Sequence, residues 1–182
     1  MKKCKVCASK FVPRFSSFQK TCENPACIIE FSKTQRQKQN AWAEKQWKRE
    51  TKEKLMTLSD HIKICQNVFN TYIRMRDKGK PCISSGRPLV GKYDAGHFYS
   101  TGSYPNLRFH EDNVHGQCVH DNRHLHGNLI EYRARLIDRI GIDRFNELES
   151  LKNIPTRYTV DEVKNMIKIY KAKIKSIQTP TD

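Results

Sequence analysis

The residues best suited to chemistry are concentrated between Pro81 and Asn128. Five polar side chains stand there on two strand-like segments and at the start of a polar helix: Asp94 and His97, then Asn113, then Asn122 and His126. Hydrolysis of a phosphodiester needs a base that accepts a proton near neutral pH and a cation that neutralises charge on the phosphate. Histidine can supply the base, and carboxylate and amide oxygens suit Mg²⁺ or Mn²⁺. The stretch therefore predicts a small metal-dependent nuclease site.

Strand and helix periodicity gives these side chains different roles. His97 follows a glycine on the first strand-like segment, a rigid element for its imidazole, and we predict it as the catalytic base. Asp94 and Asn122 are predicted to be oxygen ligands of the metal. His126 lies four residues after Asn122 and would share its helical face, so it is the third candidate ligand. The other histidines are interpreted as surface or phosphate-contacting residues: His110, His115, His120 and His124.

Four cysteines near the start of the chain have the spacing of a structural zinc site. Cys4 and Cys7 form one short pair, and Cys22 and Cys27 form a second pair fourteen residues further on. Four thiolates can close a tetrahedral zinc site and leave no position for substrate. Seven cysteines, an odd number, also favour zinc over a fully paired disulfide framework.

A long basic helix is predicted ahead of the central stretch. The segment from about Ile28 to Met56 lacks Pro and Gly and is dominated by Lys, Arg, Gln and Glu. Such a helix either follows a phosphate backbone or is a solvated spacer, and its composition leaves both open. Trp42 and Trp47 are interpreted as packing anchors against the rest of the chain or a partner subunit.

Amphipathic helices flank the central stretch on both sides. A core helix capped at Ser59-Asp60 is predicted to bury Cys65 as a small hydrophobic residue. After the stretch, one helix is predicted to end at Gly141, a short helix covers about 144–150, and a capping box at Thr159 opens the last helix.

Charge and composition indicate an intracellular protein that binds nucleic acid. The 182 residues include 34 Lys and Arg against 19 acidic residues, a formal net charge of +15 that suits a polyanionic partner. The hydrophobic content of 37% indicates a modest core with appendages. The sequence has neither an apolar run of about 18 residues nor an apolar N-terminal signal segment, so we expect no membrane span.

The central motif resembles a known family. Its pattern runs from Asp94-Ala-Gly-His97 through Leu107-Arg108-Phe109 and residues 113–118 to Asn122 and Gly127-Asn128. It is similar to the phage NinG/Rap recombination proteins, a branch of the HNH or His-Me-finger nucleases, and the likeness covers most of the chain. The resemblance implies a ββα-metal fold and an endonuclease specific for branched DNA, including Holliday junctions and D-loops.

The resemblance also implies roles for single residues. His97 would be the general base, and Asn113 would hold the loop between the strands and so orient that base. Asn122 would be the metal ligand on the helix, with Asp94 as the best acidic candidate. Many HNH proteins place a ligand immediately before the catalytic histidine, where this chain has Gly96, so a structural role for Asp94 stays open.

A second zinc site is commonly formed in this family by two Cys-x-x-Cys pairs around the nuclease motif. The corresponding segments here begin at Cys82 and Cys118 but end in Ser85 and Asp121. Serine is a poor zinc ligand and aspartate an acceptable one. We expect the site to be lost, and the alternative is a weakened brace formed by Cys82, Cys118 and Asp121.

The sequence as a whole predicts an α+β protein in which an HNH-like ββα-metal core is embedded in helices. Its parts are a zinc knuckle at 1–27, a long basic helix or linker at 28–58, the nuclease domain with flanking helices at 59–178 and a disordered tail at 179–182. A four-way junction needs two symmetrical cuts, so we expect a homodimer acting in the cytoplasm of the bacterial host. The alternatives are an HNH nuclease or nickase without branch preference and a non-catalytic, zinc-containing DNA-binding protein.

Overall fold

A computed structural model describes residues 1–179 and divides the chain into two compact units, Met1–Met56 and Thr57–Asp182. Helices dominate both units, and each contains one small antiparallel sheet of two strands, which confirms the predicted α+β class. None of the helices within residues 1–179 combines the length and the apolar character needed to cross a bilayer. Of the predicted tail, Thr179 caps the last helix, and residues 180–182 lie outside the described part.

The N-terminal unit consists of a short hairpin and one long helix. The hairpin pairs β1 (Lys2–Lys3) with β2 (Lys10–Phe11), and the helix α1 covers Pro25–Lys54. The helix begins earlier than predicted, because Asn24 caps it by accepting a 2.9 Å hydrogen bond from the Ala26 N–H and Pro25 follows as its first residue.

The helix α1 is solvated on nearly all sides. Cys27 is its one buried residue, and Trp42 and Trp47 are 65% and 64% exposed. Neither tryptophan is buried within the N-terminal unit, and their interpretation as packing anchors against the rest of the chain or a partner subunit stays a prediction. Ala41 and Ala43 flank Trp42, but polar residues occupy most other positions of α1, so the helix has no continuous apolar stripe.

The described part of the second unit contains five α-helices and a hairpin. They are α2 (Leu58–Arg76), β3 (Tyr93–His97), β4 (Val114–Cys118), α3 (Val119–Arg123), α4 (Leu129–Ile140), α5 (Ile142–Leu151) and α6 (Val160–Gln178). Capping boxes open α2 and α6: Thr57 pairs with Asp60, and Thr159 pairs with Glu162. The capping box at Thr159 and the end of α4 before Gly141 confirm the prediction, whereas α2 begins two residues earlier than predicted because Thr57 is the cap.

The hairpin of β3 and β4 lies between two hydrophobic clusters. Its register pairs His97 with Val114 and Asp94 with Gln117. An isolated two-stranded hairpin is marginal in water, so both faces need cover. One cluster joins α2 and α6 to one face and contains Cys65, Phe69, Tyr72, Ile73, Phe109, Val114, Val163 and Tyr170. The other joins α4 and α5 and contains Ile83, Leu107, Tyr132, Leu136, Phe145 and Leu148.

The buried carboxylate of Asp77 connects the end of α2 to the hairpin. It accepts hydrogen bonds from Arg76 at 2.9 and 2.8 Å, from Lys80 at 3.2 Å and from the Gly116 N–H at 2.8 Å. Burial opposes ionisation, but Arg76 and the Gly116 amide hold the pKa of Asp77 below its usual range. Glycine at position 116 allows this close approach, because a Cβ there would lie 2.7 Å from Leu89 Cδ1 and 3.2 Å from the Asp77 Cβ and would require those side chains to shift.

Asp77→Asn is expected to lower the free energy of unfolding of the second unit by about 3 kcal/mol, because the largely buried Arg76 loses its charge partner. Denaturant unfolding should be followed by far-UV circular dichroism, since both tryptophans lie in α1 and do not report on this unit. The exposed Asp138→Asn is the matched control and should change the value by less than about 0.5 kcal/mol. Equal stabilities of the two variants would contradict the role of Asp77.

Candidate functional site

The strands β3 and β4 and the short helix α3 follow one another in a strand–loop–strand–helix arrangement. Successive side chains of a strand point to opposite faces, so Asp94 and Gly96 share the face that also carries His115 and Gln117. The tight contact that a Cβ at position 96 would make with the Gln117 amide agrees with this assignment. His97 lies on the other face, at the end of β3. The arrangement therefore presents an acidic group and an imidazole from opposite faces of one strand.

The imidazole of His97 is held by the loop between the strands. Its Nε2 lies 3.0 Å from the carbonyl oxygen of Arg108. A carbonyl oxygen only accepts, so the neutral ring carries its proton on Nε2 and keeps a lone pair on Nδ1. Burial lowers the pKa of His97 below its ordinary value of 6.5, although the bond to Arg108 opposes that shift. The neutral imidazole that a general base requires is therefore the main form at pH 7.

The side chain of Asn113 closes the loop that carries Arg108. It is fully buried, accepts a 2.7 Å hydrogen bond from the Tyr99 N–H, and donates at 3.0 Å to the carbonyl oxygens of Tyr99 and Leu107. The Asn113 carbonyl also accepts a 2.8 Å bond from the Phe98 N–H. The bond to Leu107 holds the backbone next to Arg108, and it therefore helps to position the Arg108 carbonyl that orients His97.

Asp94 lies against the helix α3. Asn122 Nδ2 donates to its carboxylate at 3.0 Å, and the Arg123 guanidinium donates to both carboxylate oxygens at 2.8 and 3.0 Å. Burial opposes ionisation, but Arg123 and Asn122 outweigh it and keep the pKa of Asp94 below its ordinary value. The structure thus brings together the two predicted oxygen ligands of a hard cation. Both Asp94 oxygens are paired with Arg123, whose side chain is 55% exposed, and the role of Asp94 and Asn122 as metal ligands stays a prediction.

His126 does not lie on one helical face with Asn122, contrary to the prediction. The helix α3 ends at Arg123, so the two residues share no helical face. Positive φ angles of 50° at His126, 88° at Gly127 and 45° at Asn128 lead the chain away from the helix and into α4. The His126 side chain is exposed on this turn.

The interpretation of His115 as a surface residue is also wrong. Its side chain is buried on β4, with Nδ1 3.5 Å from the Tyr132 hydroxyl. Burial, and next the charge of Arg76, lower the pKa of His115 to about 3, so the ring is neutral and structural. His124 is exposed and His120 largely so, as expected for surface residues, while His110 caps a short turn by accepting from the Asp112 N–H at 3.3 Å.

The four N-terminal cysteines form a cluster that could hold zinc. Their sulfur atoms all lie within 4.8 Å of one another, and those of Cys7 and Cys22 are 3.8 Å apart. That separation is close to the edge of a tetrahedron whose Zn–S bonds are about 2.3 Å. The backbone N–H groups of Cys7 and Cys22 lower the pKa of Cys4 to about 6, whereas burial and the Cys7 side chain raise the pKa of Cys27 to about 12. A divalent cation would let all four thiols ionise.

A second cluster combines Cys82, Cys118 and Asp121. The Cys82 sulfur lies 3.6 Å from the Cys118 sulfur and 3.5 Å from the Asp121 carboxylate. The Cys82 sulfur also accepts a 3.3 Å hydrogen bond from the Cys118 N–H. Ser85 Oγ lies 3.7 Å from the Cys118 sulfur. The predicted proximity is therefore present, with three good donors and one hydroxyl. The ligand atoms of Cys82, Cys118 and Asp121 all lie within 4.8 Å of one another and could hold a metal ion, so the expected loss of this site stays a prediction.

Two residues that shape the site were not predicted. Arg108 acts through its backbone carbonyl, which carries no signal in the residue type. Arg123 pairs with Asp94. The sequence contained a signal for this pair, because Arg123 directly follows the predicted metal ligand Asn122 and can therefore compete with a metal for the Asp94 carboxylate.

Comparison with known proteins shows similarity to bacteriophage proteins over nearly the whole chain. A family profile described as "Bacteriophage Lambda NinG protein" matches residues 1–179. Protein ninG of Escherichia phage 933W is 37% identical over 191 residues, which cover 97% of this chain and 94% of that protein. Protein ninG of Escherichia phage lambda is 44% identical over 117 residues, which cover 64% of this chain and 57% of that protein. No solved structure matches significantly.

The purified chain is expected to retain one tightly bound zinc ion, because only the N-terminal cluster offers four thiolates. Elemental analysis after gel filtration should find about one zinc per chain in the wild type and in Cys82→Ser, and much less in Cys22→Ser. Two zinc ions per wild-type chain, or loss of zinc in Cys82→Ser, would show instead that the second cluster binds metal despite Ser85.

Proposed function

The chain belongs to the NinG family of bacteriophage proteins, and from that premise we propose that it is a metal-dependent endonuclease that cuts branched DNA during phage recombination. Its substrates would be Holliday junctions and D-loops, and its core would be the ββα-metal site of HNH nucleases. The observation that carries the proposal is the hydrogen bond from His97 Nε2 to the Arg108 carbonyl. That bond prepares Nδ1 to accept a proton, which is what a hydrolytic site requires.

The proposed chemistry assigns a distinct task to each part of the hairpin. His97 takes the proton of the attacking water through Nδ1, and Arg108 holds the ring in the required tautomer. Asn113 positions Arg108 through the bond to Leu107. Asp94 and Asn122 would hold Mg²⁺ or Mn²⁺, which when bound supplies positive charge to the scissile phosphate and the leaving oxygen.

The net charge of +15 supports DNA as the partner. A homodimer is part of the proposal, because resolving a four-way junction takes two cuts related by symmetry. The exposed α1, with its basic residues and two tryptophans, is the segment we propose for the dimer contact or for a clamp on DNA.

Two alternative functions can be distinguished from this proposal by experiment. An HNH nuclease or nickase without branch preference would use the same residues on ordinary duplex. A non-catalytic, zinc-containing DNA-binding protein is favoured by one observation, the occupation of both Asp94 oxygens by Arg123. Cleavage assays separate the three functions.

His97→Ala is expected to reduce the rate of cleavage of a synthetic four-way junction by at least about a hundredfold, because general-base catalysis contributes that much. Single-turnover rates with Mg²⁺ should be compared with binding measured by fluorescence anisotropy in the absence of divalent cations. Binding should change less than about twofold, since the half-buried ring has no role in it. His124→Ala, an exposed histidine, is the matched control and should cleave at the wild-type rate.

The wild-type protein should cut the junction faster than the matched linear duplex. Equal rates would support the nuclease without branch preference, and binding without cleavage would support the non-catalytic function. Cleavage by His97→Ala at more than a tenth of the wild-type rate would overturn the assignment of the base.

The pH dependence of cleavage should have its acid limb below pH 6.5, the ordinary imidazole value, because burial lowers the pKa of His97. The base works only when neutral, so the rate should be level through pH 7 and fall as the pH drops through the lowered pKa. Single-turnover rates between pH 5 and 8 at saturating Mn²⁺ test this expectation. An acid limb with its midpoint above pH 7 would contradict the neutral state inferred for His97.

A further inference from the structure

A cavity of about 440 Å³ opens directly beside the end of β3. Its walls combine three aromatic rings with two aliphatic side chains and a cation: Phe98, Tyr99, Tyr104, Leu129, Ile130 and Arg133. The volume lies within the range of about 300–1,000 Å³ that is usual for small-molecule sites. It is therefore large enough for one planar, ring-sized ligand.

The aromatic wall of this cavity is rigid and is tied to the loop that orients His97. Tyr99 is held through both its N–H and its carbonyl by the Asn113 side chain, at 2.7 and 3.0 Å. The ring of Tyr104 packs edge-on against that of Tyr99, with centroids 5.0 Å apart. Because Phe98 directly follows His97, a ligand in the cavity would be held at a fixed distance from the proposed base.

The rim of the cavity is apolar and basic at once. Ile130 is 86% exposed and Leu129 is also exposed, although both are large hydrophobic residues. The guanidinium of Arg133 lies over the Phe145 ring at 4.9 Å. Lys152 Nζ lies 5.1 Å from the centre of the Tyr99 ring and also pairs with Glu149 at 2.8 Å, a pair that a phosphate would have to replace. A partner with a flat apolar face and an attached negative charge complements this combination, and a nucleotide has both.

We propose that this cavity receives one unpaired nucleobase of the DNA, stacked on its aromatic wall, with the neighbouring phosphate at Arg133 and Lys152. The inference rests on the proposed function in taking DNA as the ligand. Duplex DNA keeps its bases stacked and must pay to release one, whereas a branch point offers bases that are already free or weakly stacked. The cavity would therefore make the protein select branched DNA and would place the strand relative to His97.

The test uses the 182-residue chain without added divalent cation and a forked DNA with one unpaired 2-aminopurine at the branch. We expect about tenfold tighter binding of this DNA than of the same fork with an abasic site at that position, the gain typical of one stacked base. The 2-aminopurine emission should fall on binding. Ile130→Glu should abolish the preference for the base, whereas Val90→Glu should retain it. Val90 is a matched control, because it is 83% exposed and lies outside the cavity.

Equal affinities for the two forks, or equal losses in the two Glu variants, would overturn the proposal. A third result would also overturn it: sedimentation shows that Ile130→Glu converts a wild-type dimer to monomers, and the variant keeps its preference for the base. A second copy of the chain would then cover the cavity. Failure of the proposed nuclease function gives a different result, since base preference without cleavage of any substrate would leave the cavity assignment standing. Cleavage without base preference would remove the cavity assignment alone.

Discussion

The buried amide of Asn113 is the contact on which the whole candidate site depends. An asparagine side chain offers two N–H donors and one carbonyl acceptor, and here both donors and the acceptor are used on the backbone of Tyr99 and Leu107. These bonds pin the two ends of the loop between the strands to each other. This loop supplies the Arg108 carbonyl, which holds the His97 imidazole, and the Tyr99 ring, which lines the cavity beside β3. Truncating this amide would remove the partners of the Tyr99 N–H and carbonyl, at about 1–3 kcal/mol for a fully buried group. The Leu107 carbonyl would keep its 3.2 Å bond from the His110 N–H.

The hairpin that carries Asn113 is stable only because both of its faces are covered. Phe69 packs edge-on against Phe109 and Tyr170 on one face, with ring centroids 5.7 and 4.8 Å apart. Tyr132 reaches the backbone of β3 from the other face, donating to the Gly96 carbonyl at 3.0 Å. A chemical site needs side chains held within fractions of an ångström, and a hairpin between two packed clusters provides that rigidity. The N-terminal helix α1 has no such cover within its own unit.

Local patterns predicted much of this fold, and long-range contacts account for what they missed. The α+β class, the capping box at Thr159, the end of α4 at Gly141 and the burial of Cys65 follow from residue type and spacing over a few positions. His126 does not share a face with Asn122 because α3 already ends at Arg123, and three residues with positive φ then follow at 126–128. His115 was misplaced because its burial depends on Tyr132, which is seventeen residues away.

The candidate site shows the same division between local and long-range information. The grouping of Cys4, Cys7, Cys22 and Cys27 was readable from spacing, and the proximity of Cys82 to Cys118 was readable from the family resemblance. The tautomer of His97 could not be predicted from the sequence, because it is set by the backbone carbonyl of Arg108, eleven residues further along the chain.

The ion pair of Arg123 with Asp94 bears on whether the proposed metal site can form. Arg123 is more than half exposed, and exposed ion pairs typically contribute only about 0–1 kcal/mol, so displacing the guanidinium costs little. The carboxylate itself is different, because its side chain is only 16% exposed and its lowered pKa keeps it charged. A partly buried anion favours whichever cation neutralises it best, and a divalent ion carries twice the charge of a guanidinium on a smaller radius. The pair is therefore compatible with a metal site, and it keeps Asp94 ionised and directed towards Asn122.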